Sequence, residues 1–292
     1  MPHSFDKILP KLVVAPGFIL GFAFIYGFML WNGVLSLSAS RMLPNYEFVG
    51  LAQYARLWEM DRWWVALKNL AIFGVLYVGG SCVIGILLAI LLDQKIRGEG
   101  ALRTIYLYPM ALSFVVTGTA WKWMLNPAQG LEKLVQDWGF PNFSFDWLVN
   151  TDYAIYCVVI AGIWQSAGFT MALFLAGLRG IDDSIIKAAQ VDGASLPLIY
   201  WRIILPTLRP VLFSTIMVIS HLAIKSFDLV VALTNGGPGY STDVPATFMY
   251  AMSFTRGQIG LGAASATVML MTIAALVVPY LYSELRSKPH DR

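Results

Sequence analysis

Three titratable side chains stand together inside an otherwise apolar stretch of the chain. His221, Lys225 and Asp228 recur four and then three residues apart, so a continuous helix would carry them on one face. A lone lysine near the centre of a bilayer costs about 3 kcal/mol on insertion scales. Lys225 therefore needs a partner or a wet cavity. It can pair with Asp228 along the helix, and His221 can extend the network. The stripe either faces a hydrophilic route through a membrane or locks this helix to a neighbour. A second polar group, Trp164, Gln165 and Ser166, interrupts another apolar run, where it is costly unless it meets a cavity or another helix. Tryptophan and glutamine beside a path suit a neutral sugar, because aromatic faces pack on pyranose C–H surfaces. Lys225 is the one basic residue deep in an apolar run, which argues against a phosphorylated cargo.

Bond-making chemistry is not encoded in any familiar pattern. The sequence has no G-x-x-x-x-G-K-[ST] loop for ATP and no H-E-x-x-H zinc motif. Its three histidines are His3, His221 and His290, and no metal site or catalytic triad is recoverable. Cys82 and Cys157 both fall within apolar runs. Their isolation fits small packing residues and not a disulfide framework or metal ligands. The energy for any transport must come from a partner or an ion gradient.

The elements that position these residues follow from composition. Of the 292 residues, 58% are hydrophobic and 13% charged, against about 25% charged in a soluble domain. The chain is thus an all-α integral membrane protein. Six runs meet the requirement of about 20 mainly apolar residues per span, at roughly 12–37, 69–92, 104–125, 154–178, 211–233 and 262–283. Residues 1–11 and 284–292 are left as short tails. Lys and Arg set the orientation. With the N-terminus inside, the inner segments hold Lys7, Lys11, Lys95, Arg97, Arg103, Arg179, Lys187, Arg202, Arg209, Arg286, Lys288 and Arg292. The outer segments hold only Arg41, Arg56, Arg62, Lys133 and Arg256. Both termini and the 179–210 connection are therefore expected in the cytoplasm.

The outer connections are sparer. Trp58, Trp63 and Trp64 suit an interfacial aromatic belt, with a short surface helix near them. Residues 126–153 are expected to form a small acidic lid with a short helix between turns at Asn126-Pro127 and Gly139-Phe140-Pro141. Pro109 in the third run permits bending.

The 179–210 connection reads RGIDDSIIKAAQVDGASLPLIYWRIILPTLRP. It is too polar to cross a bilayer and too apolar for a linker. Asp182 or Asp183 can cap a helix, and Asp192-Gly193 can end it. Pro197 suits the first turn of a second helix, and Pro206 is expected to stop that helix. The result is a helix–turn–helix lying on the inner membrane surface, either an ordinary interfacial element or a docking face for another protein.

Here the sequence resembles a family. Lys187, Ala188, Ala189, Asp192, Gly193 and Ala194, followed by Ile203, Leu205, Pro206 and Pro210, resemble the EAA loop (EAA-x-x-DGA, a spacer, I-x-LP-x-x-x-P) of binding-protein-dependent ABC importer permeases. Lys187 stands where that family usually has glutamate. Leu233 to Thr242, reading LTNGGPGYST, is similar to the LTxGGPxxxST signature of the carbohydrate-uptake class. The whole chain resembles glucose/mannose-type sugar permeases; glycerol-3-phosphate and malto-oligosaccharide permeases are relatives.

The resemblance implies a type I importer permease bundle with a cytoplasmic coupling helix. Partners would be a second six-span permease, two ABC ATPase subunits, a periplasmic sugar-binding protein and the lipid bilayer, with no nucleic acid. ATP and magnesium would sit in the ATPases, and this chain would bind no cofactor. Lys187, Ala188, Ala189, Asp192, Gly193, Ala194, Leu205 and Pro206 would meet the ATPase. Trp164, Gln165, Ser166, His221, Lys225 and Asp228 would line the substrate pathway. The location implied is the bacterial inner membrane. The rival reading is a secondary transporter coupled to protons through Asp228, His221 and Lys225.

Overall fold

A computed structural model describes residues 5–94 and 96–286. The basic tail from Lys288, His290 and Arg292, together with His3 and Lys95, lies outside the described residues. Every regular element among those described is a helix. The helices are α1 (Phe5–Ser36), α2 (Ala52–Trp58), α3 (Asp61–Asp93), α4 (Glu99–Ala111), α5 (Phe114–Met124), α6 (Leu131–Asp137) and α7 (Ala154–Arg179). They continue with α8 (Asp183–Val191), α9 (Leu196–Ile199), α10 (Leu205–Thr207), α11 (Arg209–Ile224), α12 (Asp228–Leu233), α13 (Pro245–Tyr250) and α14 (Ile259–Arg286). Two π-helical turns, Tyr200–Ile204 and Ala251–Thr255, follow α9 and α13.

Among the described residues, four helical segments are long and apolar enough to cross a membrane: Val13–Ser36, Asp61–Asp93, Ala154–Arg179 and Ile259–Tyr282. A fifth candidate, Leu196–Thr207 with Arg209–Ile224, is bent by 64°. Large apolar side chains such as Phe18, Val75 and Leu91 face outward, as a lipid solvent permits while backbone groups are satisfied within each helix.

The chain forms two units. Residues up to Met60 group with Phe248–Met271, and Asp61–Thr247 group with the chain from Thr272 onward. In the first unit, the Asn32 amide donates to the Ala263 carbonyl at 3.2 Å and the Thr267 hydroxyl at 3.0 Å. In the second unit α3 and α7 pack along their lengths. Their approach is close enough that a Cβ on Gly85 would stand 2.1 Å from Thr170 Oγ1. α4 lies against α7, and there a Cβ on Gly168 would meet the Tyr106 carbonyl oxygen at 1.9 Å. Only glycine fits at such distances.

Several expectations change in the structure. α3 begins at Asp61 instead of Asn69. It draws Trp63 and Trp64 out of the outer connection and buries Trp63 completely, so that ring is core and not belt. The run 104–125 is not one helix: α4 ends at Ala111 and α5 starts at Phe114. Pro109 denies the helix a backbone bond, and Ser113, in extended conformation, accepts the Val116 N–H and caps a fresh start. With 13 and 11 residues, the halves reach roughly 20 and 16 Å at 1.5 Å per residue. Neither alone spans a hydrocarbon core of about 30 Å. The run 211–233 is broken too, between Ile224 and Asp228. The halves then pair in a definite way: α5 packs on α12, while α4 lies on α7 and α11 on α3.

Candidate functional site

The clearest surface feature is the elbow from Arg179 to Pro210. Asp182 caps α8, its carboxylate accepting the Ser184 N–H at 2.8 Å. That backbone bond holds the Asp182 carboxyl below its ordinary range. The far end closes as a Schellman motif: Gly193 takes φ +81°, its N–H donates to Gln190, and the Ala194 N–H donates to Ala189. The helix–turn–helix expected from sequence is present, with each end set by local side chains.

The two faces of α8 differ. Ala189 is buried, and Ile186 and Ala194 are half-buried, against a core that includes Leu92 of α3, Phe174 and Leu178 of α7, and Ile199, Ile204 and Leu208 farther along the elbow. Lys187, Ala188, Gln190, Val191 and Asp192 are exposed, Val191 at 87%. Trp201 is also exposed. Lys187 makes no ion pair among the described residues. Two polar contacts tie the elbow to the α3–α4 connection. Arg179 Nη2 meets Glu99 Oε1 at 2.5 Å, and Gln94 Nε2 donates to the Tyr200 hydroxyl at 2.9 Å.

Pro206 does not stop the second helix. The chain runs through it in α10, bends by 64° near Leu208, and restarts with Pro210 in the first turn of α11. The π turn at Tyr200–Ile204 explains the difference. Pro206 lacks an N–H and its ring obstructs the carbonyl four residues back; a widened turn loosens the ladder there without ending it.

The residues proposed from sequence for a membrane path separate into three settings. Gln165 is buried and its Nε2 donates to the Leu112 carbonyl at 2.8 Å, inside the α4–α5 break. Ser166 is buried and shares a 2.6 Å hydrogen bond with the Tyr77 hydroxyl. Trp164 is 41% exposed. It meets Trp121 edge-on at 5.9 Å and lines an apolar groove of about 610 Å³ with Ile84, Leu88 and Pro109.

His221, Lys225 and Asp228 do not share a helical face. α11 ends at Ile224, Lys225 is its C-cap, and Asp228 opens α12. A carboxylate in a first turn is favoured by the helix dipole, which suits a restart at Asp228. No ion pair joins Lys225 to Asp228 among the described residues. The two do line one crevice of about 50 Å³, with Phe73, Tyr77 and Phe114; His221 stands apart and exposed. Sequence reasoning missed Phe73 and Tyr77. Their rings stack at 4.9 Å with 8° between planes, and the available signal was two aromatic residues at i, i+4 on a small-residue helix. Both breaks thus converge on one aromatic crevice: Tyr77 reaches Ser166, and Phe114 opens α5.

A spanning bundle with two broken helices and an exposed, capped elbow defines a class. The family described as "Binding-protein-dependent transport system inner membrane component" matches residues 81–287, and the chain belongs to it. Members are membrane permease subunits of ABC importers, and ATP hydrolysis belongs to a separate subunit. Among relatives, a probable ABC transporter permease of Pyrococcus horikoshii is 41% identical over 97% of both chains. The xylose/arabinose import permease XacH of Haloferax volcanii is 37% identical over 92% of this chain and 86% of that one. The fold matches a bacterial ABC transporter involved in the import of the acidic polysaccharide alginate, with TM-score 0.82 at 20% identity over 97% of both chains. A second structure of a bacterial alginate ABC transporter, in complex with alginate pentasaccharide-bound periplasmic protein, matches with TM-score 0.81 at 20% identity over 94% of both chains.

Proposed function

We propose that this permease carries a neutral monosaccharide, of the glucose or mannose kind, that a binding protein delivers. It works beside a second six-span permease and two ATPase subunits in the cytoplasmic membrane, with both termini and the elbow inside. The observation that carries this reading is α8: capped at both ends, fused underneath to the inner ends of α3 and α7, and bare on its outer face. An apolar outer face beside Lys187 and Asp192 is a surface that a partner completes. Ala188 is exposed and lets that partner close, whereas Ala189, expected at the same contact, is turned into the core beneath α8 and is buried. Leu205 and Pro206 carry the motion into the 64° bend.

The stroke then has a physical route. The elbow's underside moves with α3, α7 and α11. The outer half-helices α5 and α12 move as a pair, because they pack on each other and are cut from the inner halves by the two breaks. The crevice at those breaks, with Lys225, Asp228 and stacked rings, supplies hydrogen-bonding groups and apolar faces suited to a sugar. The xylose/arabinose relative supports a monosaccharide cargo. ATP hydrolysis by the purified four-subunit complex with its binding protein tests this reading. Glucose, mannose, xylose or arabinose should stimulate it. Stimulation only by glycerol-3-phosphate or an oligosaccharide would overturn the cargo, and uptake by this chain alone under an ion gradient would overturn the ABC mechanism.

A further inference from the structure

The connection between α5 and α7 folds on itself and leaves an apolar face exposed. It starts tight against the end of α5. The Gly130 N–H donates to the Asn126 carbonyl at 2.7 Å, and a Cβ on Gly130 would stand 2.1 Å from the Met124 carbonyl oxygen. α6 then presents different chemistry on each side. Glu132 and Gln136, four residues apart, hold the returning chain. Glu132 Oε2 accepts the Phe145 N–H at 3.0 Å, and Gln136 Nε2 donates to the Phe143 carbonyl at 2.9 Å. Lys133 and Asp137 pair at 2.6 Å, both more than half exposed. Leu131, Leu134 and Trp138 recur three and four residues apart, so they share a further face. All three are exposed, Trp138 at 73%, and Phe140 beyond them at 65%.

Water is a poor neighbour for that face, because each large apolar side chain left exposed forgoes the gain of burial. A contiguous exposed apolar patch marks a membrane or protein contact. The returning chain leaves the patch open, since its rings pack along another line. Phe145 stacks on Trp147 at 5.1 Å and Trp147 on Tyr153 at 5.6 Å, leading into α7. The connection is thus pinned to α5 at Gly130 and to α7 through the ring stack, and its apolar face has a fixed place.

That place selects the occupant. α7 runs from Ala154 to Arg179 at the elbow, 26 residues, which reach roughly 39 Å at 1.5 Å per residue. This exceeds the hydrocarbon thickness of about 30 Å, so the connection lies at the membrane surface opposite the elbow. There the patch continues an exposed apolar flank of α5. Val116 and Trp123 are seven residues apart on that flank, Trp123 at 72%, with Met124 beside it. Tryptophans at the end of a spanning segment are the residues of a membrane–water interface. An apolar face opposed to a charged pair on one short helix is the pattern of an element lying in that interface.

We propose that α6, with Trp138 and Phe140, is a membrane foot. Its apolar face sits in the headgroup region of the phospholipid leaflet opposite the elbow, while Lys133 and Asp137 face water. The permease complex in phosphatidylcholine nanodiscs, without its binding protein, tests this. Leu134→Cys, Trp138→Cys and Lys133→Cys, each with Cys82→Ala and Cys157→Ala, are labelled with a nitroxide. Relaxation by oxygen and by a water-soluble nickel chelate is read by electron paramagnetic resonance, after subtracting the signal of the doubly substituted background. Oxygen concentrates in lipid, so it should outweigh nickel at Leu134 and Trp138, and the order should reverse at Lys133. Should Trp138→Cys fail to assemble, Leu134→Cys decides alone. Nickel access at Leu134 and Trp138 equal to that at Lys133 would mean an aqueous loop and overturn the proposal. Shielding from both reagents would mean that another subunit covers the face, and would overturn it too. Neither of those results bears on the transport reading.

Discussion

The two ends of α3 are secured by opposite means. At the C-terminal end the elbow rests on an apolar underside, Ala189, Ile199, Ile204 and Leu208, and its polar ties are exposed. Its outer face stays open, with Val191 and Trp201 in view. At the other end the loop after α12 is held by a buried charge and a set of satisfied hydrogen bonds. The network beneath the loop satisfies its own buried charge; the elbow leaves one face bare, which the proposed function assigns to a partner. Change at the loop should therefore register as stability, and change at the elbow as lost coupling.

Asp243→Ala should break that comparison hardest. It removes the carboxylate that Arg62, only 15% exposed, is paired with, and removing one member of a buried pair costs about 3–5 kcal/mol. Thermal unfolding of the detergent-purified complex reads this. Gly168→Ala comes next, because its Cβ would sit 1.9 Å from the Tyr106 carbonyl; overpacking costs about 1–3 kcal/mol, seen in the same melt. Val191→Asp should leave the melt within about 0.5 kcal/mol, as surface changes do, yet abolish ATP-dependent uptake. Normal uptake by that variant would erase the contrast between the two ends. Arg179→Ala should be smallest, below about 1 kcal/mol for a part-exposed pair, with uptake reduced but present.

The cap at Asp182 adds a pH dependence. Its carboxyl is held low by the Ser184 N–H. The cap's contribution is thus fully present above the ordinary carboxylate value and is lost as pH falls through the lowered folded value. Limited proteolysis of the elbow should be flat through neutral pH and rise only in strong acid.

The elbow was legible in the sequence because its determinants are local. Asp182, Asp192-Gly193 and Pro197 each act within a few residues, and the structure uses all of them. Pro206 misled, because a π turn absorbs what would otherwise end a helix. The breaks were not legible: a span-length apolar run continues across Leu112–Ser113, and the pattern of Lys225, Ser226 and Asp228 fits a polar stripe on one helix as well as a helix end, while the packing of α5 on α12 is a tertiary choice. The stripe of His221, Lys225 and Asp228 failed for that reason, since spacing defines a face only on one continuous helix. Gln165 and Ser166 were visible as polar residues in a span, but their partners, Leu112 and Tyr77, are 53 and 89 residues away. Arg62 and Asp243 are 181 residues apart. Sequence marked the Leu233–Thr242 run as a signature, not the charge pair beneath it.

The central claim is that α8 faces the cytoplasm and is covered there by an ATPase subunit. Cys82 and Cys157 are both buried, so replacing them with alanine leaves a clean background for Val191→Cys. Labelling that cysteine with a membrane-impermeant maleimide, in right-side-out and inverted vesicles, with and without the ATPase subunits, measures the claim directly. The account expects labelling only in inverted vesicles, and shielding once the ATPase subunits are bound. Labelling from the outside, or an equal rate with the ATPase present, would contradict it.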